Sequence, residues 1–249
     1  MFEWIAPDWQ APARVKALVT LAGGHCDSSY GAFNTADHVG DDPKRVANHR
    51  TQFFSAMNLP ANARWISQVH GTECLQASLG SPPSEADAVW TDQFNTPCLI
   101  HTADCLPVFF CNRDGTKVAL AHAGWRGMLA GVLENTLLQF SEPGQVIAWL
   151  GPAIGPASFQ VGEDVYNGFL GRNNAFEAAF KPEAVTNASE QATWQCDLYL
   201  LATYILAEQG VTSIAGGGFD TFTDTRFFSY RRNTVCGRML SAIWIDPAQ

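Results

Sequence analysis

No stretch of this 249-residue chain approaches the roughly 18 consecutive apolar residues needed to span a bilayer. The most apolar region, residues 97–110, is interrupted by His101 and Asp104, so no membrane partner is expected. The opening Met1-Phe2-Glu3-Trp4-Ile5 lacks a basic region followed by an apolar stretch and does not read as a secretory signal; a cytoplasmic location is expected. Positive charge is scarce, with 15 Lys and Arg against 24 Asp and Glu and a net charge of −9. That balance argues against a broad nucleic-acid surface and favours small ligands, with room for a local basic pocket around one phosphate. Cys-x-x-Cys pairs are missing and the seven cysteines are an odd set, which points to reduced thiols in a reducing compartment.

Repeats, heptads and low-complexity stretches are also absent, and one domain over residues 1–249 is the expected count. With 47% hydrophobic residues the chain can bury a sizeable core. Strand and helix do not alternate regularly, which disfavours a doubly wound parallel sheet and favours a mixed α+β fold. Asp42-Pro43 reads as an N-cap followed by an N1 proline, with Val46, Phe53, Phe54 and Met57 on one face of a helix ending near Asn58. A second helix is expected over residues 127–140 and a third from Asp197 to Gly210. Short apolar runs predict strands at 15–20, 64–69, 88–91, 98–102, 108–111, 118–122, 146–150, 211–215 and 239–245, and Asn112-Arg113-Asp114-Gly115 signals a hairpin. Surface loops are expected around residues 78–85 and 182–191.

Three neighbourhoods place ligand-capable side chains at the ends of apolar strands: Ser67-Gln68-Val69-His70-Gly71, Thr102-Ala103-Asp104-Cys105-Leu106-Pro107 and Ala121-His122-Ala123-Gly124-Trp125-Arg126-Gly127. Taken singly, a histidine at a strand end is usually a hydrogen-bonded core residue. The long spacings between His70, Cys105 and His122 also lack the short ligand pairs of a strong zinc motif. Asp104 could orient an imidazole or cap its own turn.

Together these segments closely resemble the signature of the laccase-domain family, also called multicopper polyphenol oxidoreductases, purine nucleoside phosphorylases and, for bacterial members, peptidoglycan editing factors. The resemblance continues through Val39-Gly40-Asp41-Asp42-Pro43, Trp149-Leu150-Gly151-Pro152-Ala153-Ile154-Gly155, Phe227-Phe228-Ser229-Tyr230-Arg231-Arg232 and Gly237-Arg238, and so covers nearly the whole chain. It implies a layered α/β/α architecture with mixed sheets, of the cytotoxic-necrotizing-factor-like putative cysteine hydrolase type. It also implies that His70, Cys105 and His122 converge on a zinc ion. A thiolate and two neutral imidazoles suit zinc, and three protein ligands leave the open position of a catalytic site.

The activities implied are phosphorolysis of adenosine, inosine and methylthioadenosine to base plus ribose 1-phosphate, and deamination of adenosine. Purine nucleoside and phosphate are therefore the expected small-molecule partners, and the sequence is silent on oligomeric state. Arg126, Arg50, Arg231, Arg232 and Ser229 are candidates for substrate contact, with Arg126 first among them because it follows the His122 segment. The Gly151–Gly155 run has no phosphate-loop spacing and reads as a turn of close backbone approach. Six histidines, His25, His38, His49, His70, His101 and His122, are too few for an electron-transfer copper plus a trinuclear cluster. Adventitious copper with weak polyphenol oxidation remains an alternative, as does amide hydrolysis of a peptidoglycan precursor with Cys105 as nucleophile and His122 as base.

Several positions depart from the family pattern. Leu21 stands where an arginine is usual, His25-Cys26 where Val-Ser is common, and His49-Arg50 where Asn-Arg is expected. Gln160 replaces an acidic residue and Asp220-Thr221 replaces Cys-Thr. None touches the three expected ligands. His101 inside an apolar strand reads as a core histidine satisfied by backbone.

Overall fold

The computed structural model describes residues 2–23, 28–183 and 192–247. His25-Cys26 and most of the loop expected over residues 182–191 lie outside them. Two sheets dominate. Trp4–Ile5, Val15–Thr20, Met239–Ile245 and Cys98–Thr102 form, in that order, a four-stranded antiparallel sheet. The second sheet has six strands in the order Ser213–Gly216, Val146–Leu150, Leu106–Asn112, Val118–Ala123, Ala88–Thr91 and Cys74–Gln76. Its outermost pairs are parallel and its inner pairs antiparallel, so the expected mixed α/β architecture is present. The expected hairpin joins Leu106–Asn112 to Val118–Ala123, closed by the Gly115 N–H on the Asn112 carbonyl at 2.9 Å.

Side-chain parity assigns each strand face to a layer. Val19, Ile100, Met239 and Ile243 of the smaller sheet pack against Phe109, Leu120, Ile147 and Trp149 of the larger one. Leu18, Leu99, Leu240 and Trp244 point the other way, onto Phe53 and Phe54 of a helix spanning Pro43–Met57 (α1). Val108, Phe110, Ala121 and Ala148 face Met128 of Trp125–Ala130 (α2), Leu133 of Val132–Leu137 (α3), Phe169 of Glu163–Arg172 (α4) and Leu201 of Leu198–Glu208 (α5). The stack is thus α/β/β/α, one sheet more than the α/β/α arrangement that the resemblance implies. Both sheets are apolar on both faces. At about 1.5–3 kcal/mol for each large side chain buried, leaving one face to solvent would cost more than the domain's stability.

The α1 cap is as expected: the Asp42 carboxylate accepts the Lys44 and Arg45 N–H groups, and Asn58 closes the helix in the left-handed region. The helix expected over 127–140 starts earlier and is cut in two, because Gly131 adopts φ 106° and its N–H turns back to the Gly127 and Met128 carbonyls. α4 was not expected from the sequence. Two of its ten residues are glycine and only Val165 and Phe169 are buried, too thin a stripe to register as a period. Strand pairing at 64–69 shrinks to Ile66–Ser67 against Ser84–Glu85, for a reason that belongs to the site. Among the described residues no helix is long and apolar enough to cross a membrane.

Candidate metal centre and its cavity

Three chain segments end at one place. His122 is the penultimate residue of Val118–Ala123 and shares parity with Val118 and Leu120, so it faces the space between the sheets. Cys105 lies on the link that carries the chain from Cys98–Thr102 in one sheet to Leu106–Asn112 in the other. His70 follows Ile66–Ser67 in a loop where its own φ is 60°, a left-handed conformation that a non-glycine residue keeps only when its surroundings hold it. One ligand atom each from His70, Cys105 and His122 lies within 4.8 Å of the others, with His70 Nε2 3.7 Å from Cys105 Sγ. Gly124 makes this approach possible. A Cβ there would sit 3.0 Å from Cys105 Sγ and 3.0 Å from His70 Cδ2.

What holds His70 is Asp87, a fully buried carboxylate just before Ala88–Thr91. Its oxygens accept the backbone N–H groups of Val69 (3.1 Å), His70 (2.9 Å) and Gly71 (2.6 Å). That capture takes N–H groups from strand pairing and explains the short Ile66–Ser67 strand. Asp87 Oδ1 also accepts from His122 Nδ1 at 2.8 Å, fixing the tautomer that leaves Nε2 as the lone-pair nitrogen. Sequence reasoning passed over Asp87; its one signal is an acidic residue set directly against an apolar strand.

Asp104 does not orient an imidazole. Its Oδ1 accepts the Thr221 hydroxyl at 2.7 Å and its Oδ2 the Arg231 N–H at 2.7 Å, so it braces the loop over residues 219–232 against the Cys105 link.

The thiols separate sharply by environment. All six described cysteines are free. Burial pushes Cys74 and Cys111 up to about 12. Burial also acts to raise Cys105, but the His122 charge and the hydrogen bonds from His122 and His70 outweigh it and bring the thiol down to about 6. Burial works against the His122 imidazolium too, yet Cys105 and Asp87 hold it up at about 9. Without a metal, the pair is therefore a thiolate beside an imidazolium. A divalent cation at the same point would replace that proton's charge, and two nitrogens with one thiolate are a donor set that fits zinc and also suits copper.

The triad opens into a cavity of about 500 Å³ whose wall includes Trp125, Ile154, Phe159 and Tyr230 together with Arg126, Arg231 and Arg238. Arg50 stands elsewhere: it stacks on Trp65 at 4.1 Å, donates to the Thr35 carbonyl and pairs with Asp37 at 3.0 Å. Ser229 is buried and accepts the Arg232 N–H. Arg232 spends both of its Nη groups on the carbonyls of Thr221, Phe222 and Phe227, which removes it as an anion clamp. His101 lines the cavity, and its Nε2 meets the Thr35 hydroxyl at 2.9 Å while its ring stacks on Trp65. A side-chain hydroxyl, not backbone, satisfies it. The Gly151–Gly155 turn is one of close approach, since a Cβ on Gly151 would meet Pro107 at 2.8 Å and one on Gly155 would meet Asp220 at 2.8 Å.

The departures from the family pattern have local roles. Leu21 is buried beside Phe227 and Phe228. Asp220 accepts the Gly155 and Phe222 N–H groups and the Ser158 hydroxyl. Gln160 donates to Glu183 and Thr193, and His49 Nδ1 meets the Asn34 backbone.

Residues 15–246 match the model of a family described as multi-copper polyphenol oxidoreductase laccase. The chain is 44% identical to a purine nucleoside phosphorylase of Pseudomonas aeruginosa, over 99% of this chain and 100% of that one. It is 43% identical to purine nucleoside phosphorylase YfiH of Escherichia coli, covering 98% and 100%. Among solved structures, a Neisseria meningitidis protein superposes with a TM-score of 0.89 at 40% identity, covering 98% and 99%. YlmD of Geobacillus stearothermophilus gives 0.81 at 26%, covering 98% of each chain.

Proposed function

This chain belongs to the multi-copper polyphenol oxidoreductase laccase family, and from that premise we propose that it is a zinc-dependent purine nucleoside phosphorylase. Its substrates are adenosine, inosine and methylthioadenosine, released as base plus ribose 1-phosphate, with adenosine deamination as a second activity of the same cavity. The observation that carries this reading is the His70, Cys105, His122 triangle opening into a cavity lined by three arginines in a chain of net charge −9. The names of the relatives supply the nucleoside. The six cysteines among the described residues are free thiols, which supports a reducing, cytoplasmic compartment.

His70 Nε2, Cys105 Sγ and His122 Nε2 would hold the zinc, which when bound supplies a Lewis acid with one open position. Asp87 keeps the His122 proton on Nδ1 and holds the His70 loop in place. The faces of Trp125, Phe159 and Tyr230 suit a purine ring. The cavity's arginines, Arg126, Arg231 and Arg238, supply the positive charge that phosphate binding and the negative charge developing on the departing purine both call for. Arg50 and Ser229 act behind the wall, on Asp37 and on the Arg232 turn.

One observation favours a second reading. The thiolate–imidazolium pair of Cys105 and His122 is the resting state of a cysteine hydrolase, which would suit metal-free protein acting on an amide of a cell-wall precursor. Copper on the same ligands would give laccase-like oxidation.

Adenosine turnover with and without phosphate, following adenine, ribose 1-phosphate and inosine, separates these readings when run on wild type and Cys105→Ala of known zinc and copper content. Phosphate-dependent adenine release that tracks zinc and vanishes in the variant is the expected result. Loss of zinc in the variant with no nucleoside turnover in either protein would sink the phosphorylase reading.

A further inference from the structure

The three arginines of the cavity are not equivalent. Arg126 is exposed, leans on its neighbour Trp125 at 4.3 Å, and has no hydrogen bond or ion pair among the described residues. Arg231 is also exposed, its guanidinium reaching the Gln160 carbonyl at 3.3 Å. Arg238 is half-buried and pinned. Its Nη1 donates to the Cys236 carbonyl at 2.9 Å and to the Gly237 carbonyl at 3.0 Å, and its backbone N–H donates to Asn34 Oδ1 at 3.1 Å.

That same Asn34 oxygen accepts the Ala36 N–H at 3.1 Å, while Asn34 Nδ2 donates to the Ala36 carbonyl and to Asp41. One buried amide therefore ties the segment carrying His38 to the segment carrying Arg238. His38 and Arg238 both line the cavity. Partial burial, and next the Arg238 charge, lower the His38 pKa, while Asp37 acts to raise it. Two carboxylates stand nearby: Asp37 pairs with Arg50 through one oxygen and places the other 3.7 Å from His38 Nδ1, and Asp104 accepts from Thr221 and Arg231.

We propose that His38 and Arg238 form the subsite for the phosphate co-substrate, leaving Arg126 and Arg231 to the nucleoside end of the cavity. The proposal rests on the phosphorolysis reading above. The pinned Arg238 guanidinium needs little ordering when a tetrahedral dianion arrives, with the His38 ring in the same wall to donate to it, whereas the Arg126 side chain, with no hydrogen bond or ion pair among the described residues, must be immobilised. In the reaction served, a phosphate oxygen bonds to the ribose C1′ as the bond from C1′ to the purine nitrogen breaks. The bonding pair leaves with the purine, which takes up the proton that hydrogenphosphate gives up.

The test titrates inorganic phosphate into zinc-loaded protein by calorimetry, without nucleoside, and measures KM for phosphate and adenosine separately. Arg238→Gln and His38→Asn should each weaken phosphate binding about tenfold, raising its KM while the adenosine KM stays within about twofold. Arg238→Lys should fall between wild type and Arg238→Gln. His38→Asn alters an exposed side chain, so the test stands even where Arg238→Gln fails to fold. If adenosine 5′-monophosphate, and not inorganic phosphate, loses affinity in these variants, the subsite reads an ester phosphate and the assignment is overturned. Cleavage whose phosphate KM follows Arg126→Gln instead also overturns it. Phosphate binding that depends on Arg238 in a protein that cleaves no nucleoside would leave the subsite standing and overturn the phosphorolysis reading alone.

Discussion

Asp87 Oδ1 lies 2.8 Å from His122 Nδ1 and also accepts the backbone N–H of His70, so one buried oxygen aims two of the three candidate metal ligands. Replacing Asp87 by Asn preserves shape but offers only one accepting oxygen for four donors. Zinc affinity, measured by competition with a chromophoric chelator, should fall about 10–100-fold. Unchanged affinity would show that the ligands aim themselves. Asp87→Ala strands those donors in the interior, and denaturant unfolding of the metal-free protein should show a loss of about 3–5 kcal/mol.

Gly124 has ordinary extended dihedrals, φ −65° and ψ 158°, so Gly124→Ala carries no backbone strain. Its added methyl would press on Cys105 Sγ and His70 Cδ2, each 3.0 Å away. The expected variant folds with a melting temperature close to wild type but binds zinc at least about tenfold more weakly. A variant that loses stability without losing metal would contradict this.

His101 supplies a pH signature. Burial, with His38, Arg50 and Arg238 adding to it, keeps its folded pKa well below the ordinary value. In the unfolded chain it takes up a proton near about pH 6.5. Below that pH the unfolded state therefore binds more protons than the folded one, and stability is lost as the pH falls toward the folded pKa; above it the contribution is flat. Other groups titrate as well, so the observable is a difference between two curves. His101→Gln should lose stability less steeply than wild type between about pH 6.5 and 5, and parallel curves would count against the assignment.

Arg232 should prove structural. Lysine cannot reach the three carbonyls of Thr221, Phe222 and Phe227 together, so Arg232→Lys should cost about 1–3 kcal/mol and expose residues 219–232 to limited proteolysis. If phosphate KM changes while stability does not, the residue belongs to the substrate site instead.

Features with local causes were legible in the sequence. The α1 cap is Asp42 bonding to residues two and three positions on, and the hairpin at Asn112 closes on Gly115. The meeting of His70, Cys105 and His122 was legible only through resemblance, since their spacings carry no motif. Asp87 was not legible because its value lies in partners up to 35 residues away. Arg50 has the chemistry of an anion clamp, but aromatic Trp65 and Asp37 claim it first. The break at Gly131 leaves no mark on the apolar period, because α2 and α3 bury Met128, Val132 and Leu133 into the same layer and the pattern runs on through the gap.

The link through Cys105 is where the chain steps from one sheet to the other, while His122 belongs to the larger sheet alone. A metal ion on these ligands would act as a rivet at the seam of the sandwich, with metal–ligand distances expected within about 0.2 Å of their ordinary values. Its occupancy would then register slippage between the sheets. A change as remote as Ile100→Val in the packing between them should announce itself at the metal before it is felt in the fold.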